Sequence, residues 1–143
     1  MIAHKNLYYQ KLKEKGVSLN FDFDPECFVF ADSNMTETIL RNLVSNAIKF
    51  SKEFGLILIS FDTSGEDILI KVKDTGVGMN EKQISKLFKL DQTHATVDTS
   101  GKRGTGLGLM LCKELVEKQG GKIWIESSIN VGTTFYFTLP KTK

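Results

Sequence analysis

Two glycine-rich stretches, Asp74-Thr75-Gly76-Val77-Gly78-Met79 and Gly104-Thr105-Gly106-Leu107-Gly108-Leu109, constrain this chain more than any other feature. The first follows an alternating run that ends at Asp74, and the second opens an amphipathic helix. Glycine takes positive φ freely and lets a ligand approach main-chain N–H groups with no Cβ in the way. A helix N-terminus behind such a turn adds partial positive charge, so the second stretch reads as a phosphate cradle. Taken singly, each also reads as an ordinary turn. Their surroundings decide between the two.

A chain of 143 residues is long enough for one domain with a real core. A formal charge of +2 is too small to make nucleic acid or an anionic membrane the main partner. No apolar signal core stands at the start, and no apolar run reaches spanning length, so no direct membrane contact is expected of this chain. Its two cysteines, Cys27 and Cys112, are too few for a disulfide framework. Cys112 falls on an apolar helix face, which favours a reducing, cytoplasmic setting. His4 and His94 lack metal-ligand spacing and receive no catalytic role.

Taken in order, Leu7 to Lys15 is a short charged helix stopped by Gly16, the tail or linker of something that precedes it. Val17 to Phe23 alternates as a half-buried strand, and Cys27 to Ala31 is a second short one. Asn34 and Glu37 form a capping box for the longest helix, which runs to about Ser51. Leu56–Asp62 and Ile68–Asp74 make an antiparallel hairpin. Asn80 and Gln83 form a second capping box, for a helix carrying Ile84, Leu87 and Phe88 inward. Thr105 to Gln119 is a third helix with an apolar stripe of Leu109, Cys112, Leu115 and Val116, ended by Gly120-Gly121. Strands over Lys122–Ser127 and Thr133–Leu139 follow. The expected class is α+β, a two-layer sandwich whose mixed, mostly antiparallel sheet is covered on one face by about three helices.

Three placements carry chemistry. On the long helix, Asn42, Asn46 and Lys49 fall within about 60° of one another, away from the apolar face. Asparagine has no propensity reason to recur one turn apart. A carboxamide oxygen suits a hard cation held by phosphates, and a lysine suits the phosphates themselves. Asp74, at a strand end, could accept a hydrogen bond from an exocyclic amine such as that of adenine while disfavouring the carbonyl of guanine. It also reads as a turn-forming Asp. Lys89 to Arg103 is long and polar for a compact domain and reads as a lid, with Lys102 and Arg103 as anion contacts.

Four features stand in fixed order: Asn42-Leu43-Val44-Ser45-Asn46-Ala47-Ile48-Lys49-Phe50, Asp74-Thr75-Gly76-Val77-Gly78, Leu87-Phe88, and Gly104-Thr105-Gly106-Leu107-Gly108-Leu109. This set resembles the N, G1, F and G2 boxes of the catalytic ATP-binding domain of sensor histidine kinases. That group shares its ATPase superfamily, of Bergerat-type fold, with gyrase, chaperone and mismatch-repair ATPases. The resemblance extends from about Val17 to Pro140, because Gly132-Thr133-Thr134-Phe135-Tyr136-Phe137-Thr138-Leu139-Pro140 is also similar to the family's ending.

The resemblance implies ATP and Mg²⁺ as ligands. It implies that Asn46 contributes to Mg²⁺ binding, that Asn42 and Lys49 lie near the phosphates as the catalytic pair, and that Phe50 and Thr133 border the nucleotide. Asp74 would read the adenine amine, with Gly76 and Gly78 shaping that pocket. Phe88 would brace the lid, and Arg103, Gly104, Thr105, Gly106, Leu107 and Gly108 would line the triphosphate path. Where hydrolytic relatives carry a water-activating glutamate, Asn42 is an amide that takes no proton near neutral pH. Weak ATP hydrolysis is therefore expected, with transfer to a histidine supplied elsewhere. The phospho-acceptor segment is absent: His4-Lys5-Asn6-Leu7-Tyr8 lacks the family's acidic neighbours.

The expected division is residues 1–16 as linker or tail of a helical dimerisation and acceptor domain, and 17–143 as the catalytic domain. The implied partners are that helical domain and a response regulator receiver domain, and the resemblance allows a membrane-anchored or hybrid parent. Two other readings stay open: an anti-sigma-type serine protein kinase using the same pocket, and a degenerate nucleotide-binding scaffold module.

Overall fold

The computed structural model describes residues 12–23, 33–87 and 107–140. Strand β1 (Ser18–Phe23) leads to helix α1 (Ser33–Phe50), then to strands β2 (Leu56–Ser64) and β3 (Asp67–Asp74). After these come helices α2 (Glu81–Lys86) and α3 (Leu107–Lys118) and strands β4 (Ile123–Ser128) and β5 (Gly132–Pro140). The described strands form a five-stranded sheet in the order β1-β2-β3-β5-β4. Among the described residues only the β1–β2 pair is parallel, with Ser18 beside Leu56 and Phe23 beside Phe61. A parallel pair needs a crossover, and α1 lies on that connection. The other three pairings are antiparallel. The α+β class and the mixed, mostly antiparallel sheet are as expected.

The apolar face of α1 packs onto the sheet: Ile39, Leu40, Leu43, Val44, Ala47 and Ile48 are all buried. Leu109, Cys112 and Val116 of α3 join them, so α1 and α3 cover the core. From the sheet, Ile57, Ile59, Ile68, Ile70, Val72, Phe135, Phe137 and Leu139 complete it. Each fully buried side chain of this size is worth about 1.5–3 kcal/mol. Alternation along the strands leaves the other sheet face to solvent, where Trp124 stacks on Tyr136 with ring centroids 5.3 Å apart.

The local signals act as their chemistry suggests. Asn80 accepts the Gln83 N–H at 2.8 Å and donates its own N–H to the Gln83 side chain at 2.9 Å, the reciprocal capping box. The helix it opens is short and buries none of its own residues, so Ile84 and Leu87 stand only half-buried at the rim. At the end of α3, the Gly121 N–H reaches Val116 O and the Gly120 N–H reaches Glu117 O, with Gly120 at φ 83°. That pair of bonds is a Schellman motif, and it turns the chain directly into β4. The long helix begins at Ser33, so Asn34 lies within its first turn rather than capping it. The strand expected over Cys27–Ala31 lies outside the described residues.

Candidate functional site

Strand β3 buries every second residue, Ile68, Ile70, Val72 and then Asp74. The period of two puts a carboxylate where the pattern would place an aliphatic side chain. Asp74 is 3% exposed and is the one charged side chain among the buried described residues. Its Oδ1 accepts the Gly76 N–H at 2.8 Å, an Asx-turn contact, and the carboxylate also accepts the Thr133 N–H from β5. Burial nevertheless dominates these two bonds and raises its pKa from 3.8 to about 6. A carboxylate has about four acceptor sites, so two donors leave it unsaturated. A buried acid held against its own ionisation marks a functional position more readily than a structural turn.

The loop after Asp74 is tied down at nearly every residue. Thr75 donates its N–H to Leu56 O at 3.1 Å and its Oγ1 accepts the Leu56 N–H at 3.0 Å. The Val77 N–H reaches Phe50 O, at the end of α1, at 3.1 Å. A Cβ on Gly76 would stand 2.1 Å from that same Phe50 oxygen. Gly78 sits at φ 70°, with Ser128 O 1.9 Å from where its Cβ would be. The loop thus lies flat between the end of α1 and the β4–β5 turn, an approach that only glycine allows.

The same region holds one residue the sequence did not single out. Ser127 Oγ accepts the Met79 N–H at 2.8 Å, lies 2.7 Å from Thr133 Oγ1, and donates to Gly132 O at 3.1 Å. A serine in an alternating strand carries no pattern that announces this. Thr133 itself is buried and lies opposite Asp74 in the β3–β5 register.

A second group forms where α1 crosses α3. A Cβ on Gly108 would lie 3.2 Å from Asn42 Oδ1, so the last glycine of the second cluster rests against the first of the paired asparagines, Asn42 and Asn46. One turn further along α3, Cys112 donates from Sγ to Ile39 O at 3.7 Å and bonds the Asn42 side chain. Burial pushes this thiol up to about 12. Since the thiolate is the nucleophile, Cys112 should resist iodoacetamide at pH 8 in the folded chain and react on unfolding. Peptide mass spectrometry reads this directly, and rapid native labelling would contradict the packing.

Asn46, Lys49 and Phe50 are half-buried along the same helix. The two groups, Asn42 with Gly108 and Asp74 with Gly76, are linked by α1 over the eight residue steps from Asn42 to Phe50, about 12 Å of helix rise. Phe88, Arg103, Gly104, Thr105 and Gly106 lie outside the described residues, as do Lys102, the expected lid and the Leu107 side chain. Among the described residues, no group of three or more His, Cys, Asp or Glu gathers to hold a metal. The donors offered by the α1 face are amides, which fit a hard cation carried mainly on phosphate oxygens and water.

Residues 31–143 match the family described as histidine kinase-, DNA gyrase B- and HSP90-like ATPases. The chain is 32% identical over 134 residues to the sensor protein SrrB of Staphylococcus aureus, an alignment covering 94% of this chain and 23% of SrrB. It therefore spans less than a quarter of that relative. The nucleotide-free catalytic domain of the histidine kinase ThkA superposes with TM-score 0.81 at 32% identity, covering 99% of this chain and 90% of that one. ThkA in complex with the response regulator protein TrrA gives TM-score 0.77 at 29% identity, over 99% of this chain and 39% of that one. Full-length ShkA in complex with AMPPNP gives TM-score 0.81 at 26% identity, over 99% of this chain and 29% of that one. Motif order, sheet topology and these matches agree: the chain belongs to the histidine kinase-, DNA gyrase B- and HSP90-like ATPase family, as a catalytic ATP-binding domain of the sensor histidine kinase type.

Proposed function

We propose that this domain, residues 17–143, binds ATP with Mg²⁺ and transfers the γ-phosphoryl group to a histidine on a helical dimerisation domain, of which residues 1–16 are the tail or linker. The observation that carries the reading is the Asp74 carboxylate, buried and ionising only near pH 6 beside Gly76 and Thr133. It accepts the adenine amine. Asn42 and Lys49 meet the phosphates, and Asn46 supplies one oxygen to Mg²⁺, which neutralises phosphate charge when bound. Phe50, Gly78 and Thr133 border the base, while Phe88 and the stretch Arg103 to Gly108 complete the nucleotide's enclosure. For phosphoryl transfer the domain need only position and neutralise. The phosphoryl group passes from ATP to an imidazole nitrogen, ADP leaves, and a response regulator receiver domain takes the group next. The domain works on the cytoplasmic side, as an ATP-dependent kinase requires.

The test is a thermal shift with ATP, ADP and GTP, each with and without Mg²⁺. A ligand at 100 times its Kd adds about 2.7 kcal/mol, a rise in Tm of several degrees for a chain of this size. ATP and ADP should give it and GTP should not; equal shifts with GTP would remove the role of Asp74. With an acceptor domain and labelled ATP added, the product should be acid-labile, whereas an acid-stable product would indicate a serine kinase. Without an acceptor, hydrolysis should be close to zero, and Asn42→Glu should raise it by placing a proton acceptor where the amide stands.

A further inference from the structure

Lys15 precedes β1 and belongs to none of the four boxes. Its ammonium donates to three carbonyls at the end of α1: Ile48 O at 2.9 Å, Lys49 O at 3.1 Å and Ser51 O at 3.1 Å. A helix leaves its last carbonyls unpaired and partly negative, and an ammonium offers three donors. The same helix end sends Phe50 O to the Val77 N–H and lies against Gly76. The lysine therefore stands directly behind the peptide that fixes the first glycine loop.

The segment carrying it is itself anchored. Leu12 is part of the core, and the Val17 N–H donates to Leu12 O at 2.9 Å. The Phe54 N–H donates to Lys15 O at 2.9 Å, and the Ser18 N–H to Gly55 O at 3.0 Å. Gly16 passes at φ 68° under the Phe54 ring, whose nearest carbon would be 2.7 Å from a Cβ there. Residues 12–18 and the end of α1 thus form one stitched body. Lys15 ties the lead-in segment to the carbonyls on either side of Phe50 O, which itself holds the Asp74–Gly78 loop through the Val77 N–H.

We propose that Lys15 is a positioning residue for the nucleotide site, coupling the placement of the segment before β1 to the shape of the adenine pocket. The inference rests on the nucleotide-binding reading above. A lysine that merely capped the helix would stabilise the fold and leave nucleotide affinity alone, and that difference is measurable. Mg·ADP affinity would be measured by calorimetry on the full chain, well below melting, for wild type, Lys15→Met and Ile68→Val. Ile68 is buried far along β3 from Asp74, and its variant matches a modest loss of stability without touching the site.

Lys15→Met should weaken Mg·ADP by about threefold to tenfold and speed exchange of the Val77 amide. Ile68→Val should leave affinity unchanged. A lowered Tm in Lys15→Met with wild-type affinity and wild-type Val77 exchange would overturn the proposal. If Lys15→Met fails to fold, Lys15→Arg decides: it keeps the charge but spreads its donors in a plane. Faster Val77 exchange in the arginine variant supports positioning, and unchanged exchange overturns it. A wild type that binds no nucleotide would instead remove the nucleotide reading, and this proposal with it.

Discussion

Asp74→Asn is expected to lower ATP affinity by roughly 100-fold or more while leaving the domain folded. Three donors converge on this side chain: the Gly76 N–H, the Thr133 N–H and, in the proposed complex, the adenine amine. A carboxylate only accepts, so it serves all three. An amide has one oxygen and turns a donating NH₂ toward at least one of them. Calorimetric titration of ATP into the variant tests this, and an affinity within threefold of wild type would sink it.

The same residue sets a pH dependence whose sign is opposite for folding and for binding. Its pKa is raised from 3.8 to about 6, so between those values the folded chain holds the proton more tightly than the unfolded one. The stability this confers is complete below 3.8 and is lost as pH rises through about 6. At neutral pH the ionised, buried form weighs against folding by about 3 kcal/mol. In the proposed complex the carboxylate binds ionised, so affinity should fall about tenfold per pH unit below about 6. Adenosine is the cleaner probe here because it has no phosphate to titrate. Adenosine affinity that stays flat from pH 8 to 5 would contradict the assignment.

Gly78→Ala should cost about 3 kcal/mol, lowering Tm by about 10 °C. Gly78 combines φ 70° with a backbone carbonyl, Ser128 O, 1.9 Å from the added carbon, and neither neighbour is a flexible side chain that can swing away. Gly65 is the control. It has φ 61° but open space around it, so Gly65→Ala carries only the left-handed strain, about 1 kcal/mol. Scanning calorimetry on the pair separates crowding from strain, and equal losses would mean that the loop moves aside at no cost. Because the loop also frames Asp74, Gly78→Ala should weaken adenine nucleotides as well.

Much of this could be read along the chain. Burial at every second residue of β3 follows from a period of two, and that period also carries Asp74 inside. The Asn80–Gln83 box and the Gly120-Gly121 stop work within a few residues, so local chemistry suffices to specify them. The apolar face of α1 is written at helical spacing: Ile39, Leu40, Leu43, Val44, Ala47 and Ile48 are buried, while Phe50, on the same face at the helix end, is half-buried. By the same spacing, Asn42, Asn46 and Lys49 share one side of a helix.

Other features depend on residues brought together from far apart, and no period records them. That β5 inserts between β3 and β4, placing Thr133 opposite Asp74, is a matter of pairing across the sheet. The contacts of Gly108 and Cys112 with Asn42 exist only where two helices cross. Ser127 under Met79, and Lys15 behind Phe50, are ordinary polar residues until the fold supplies their partners. Sequence alone determined which elements form and which side chains they turn inward, because motif and period are local. The tertiary structure decided how they are held, because an unpaired carbonyl or a buried carboxylate is satisfied by whatever the packing brings within reach.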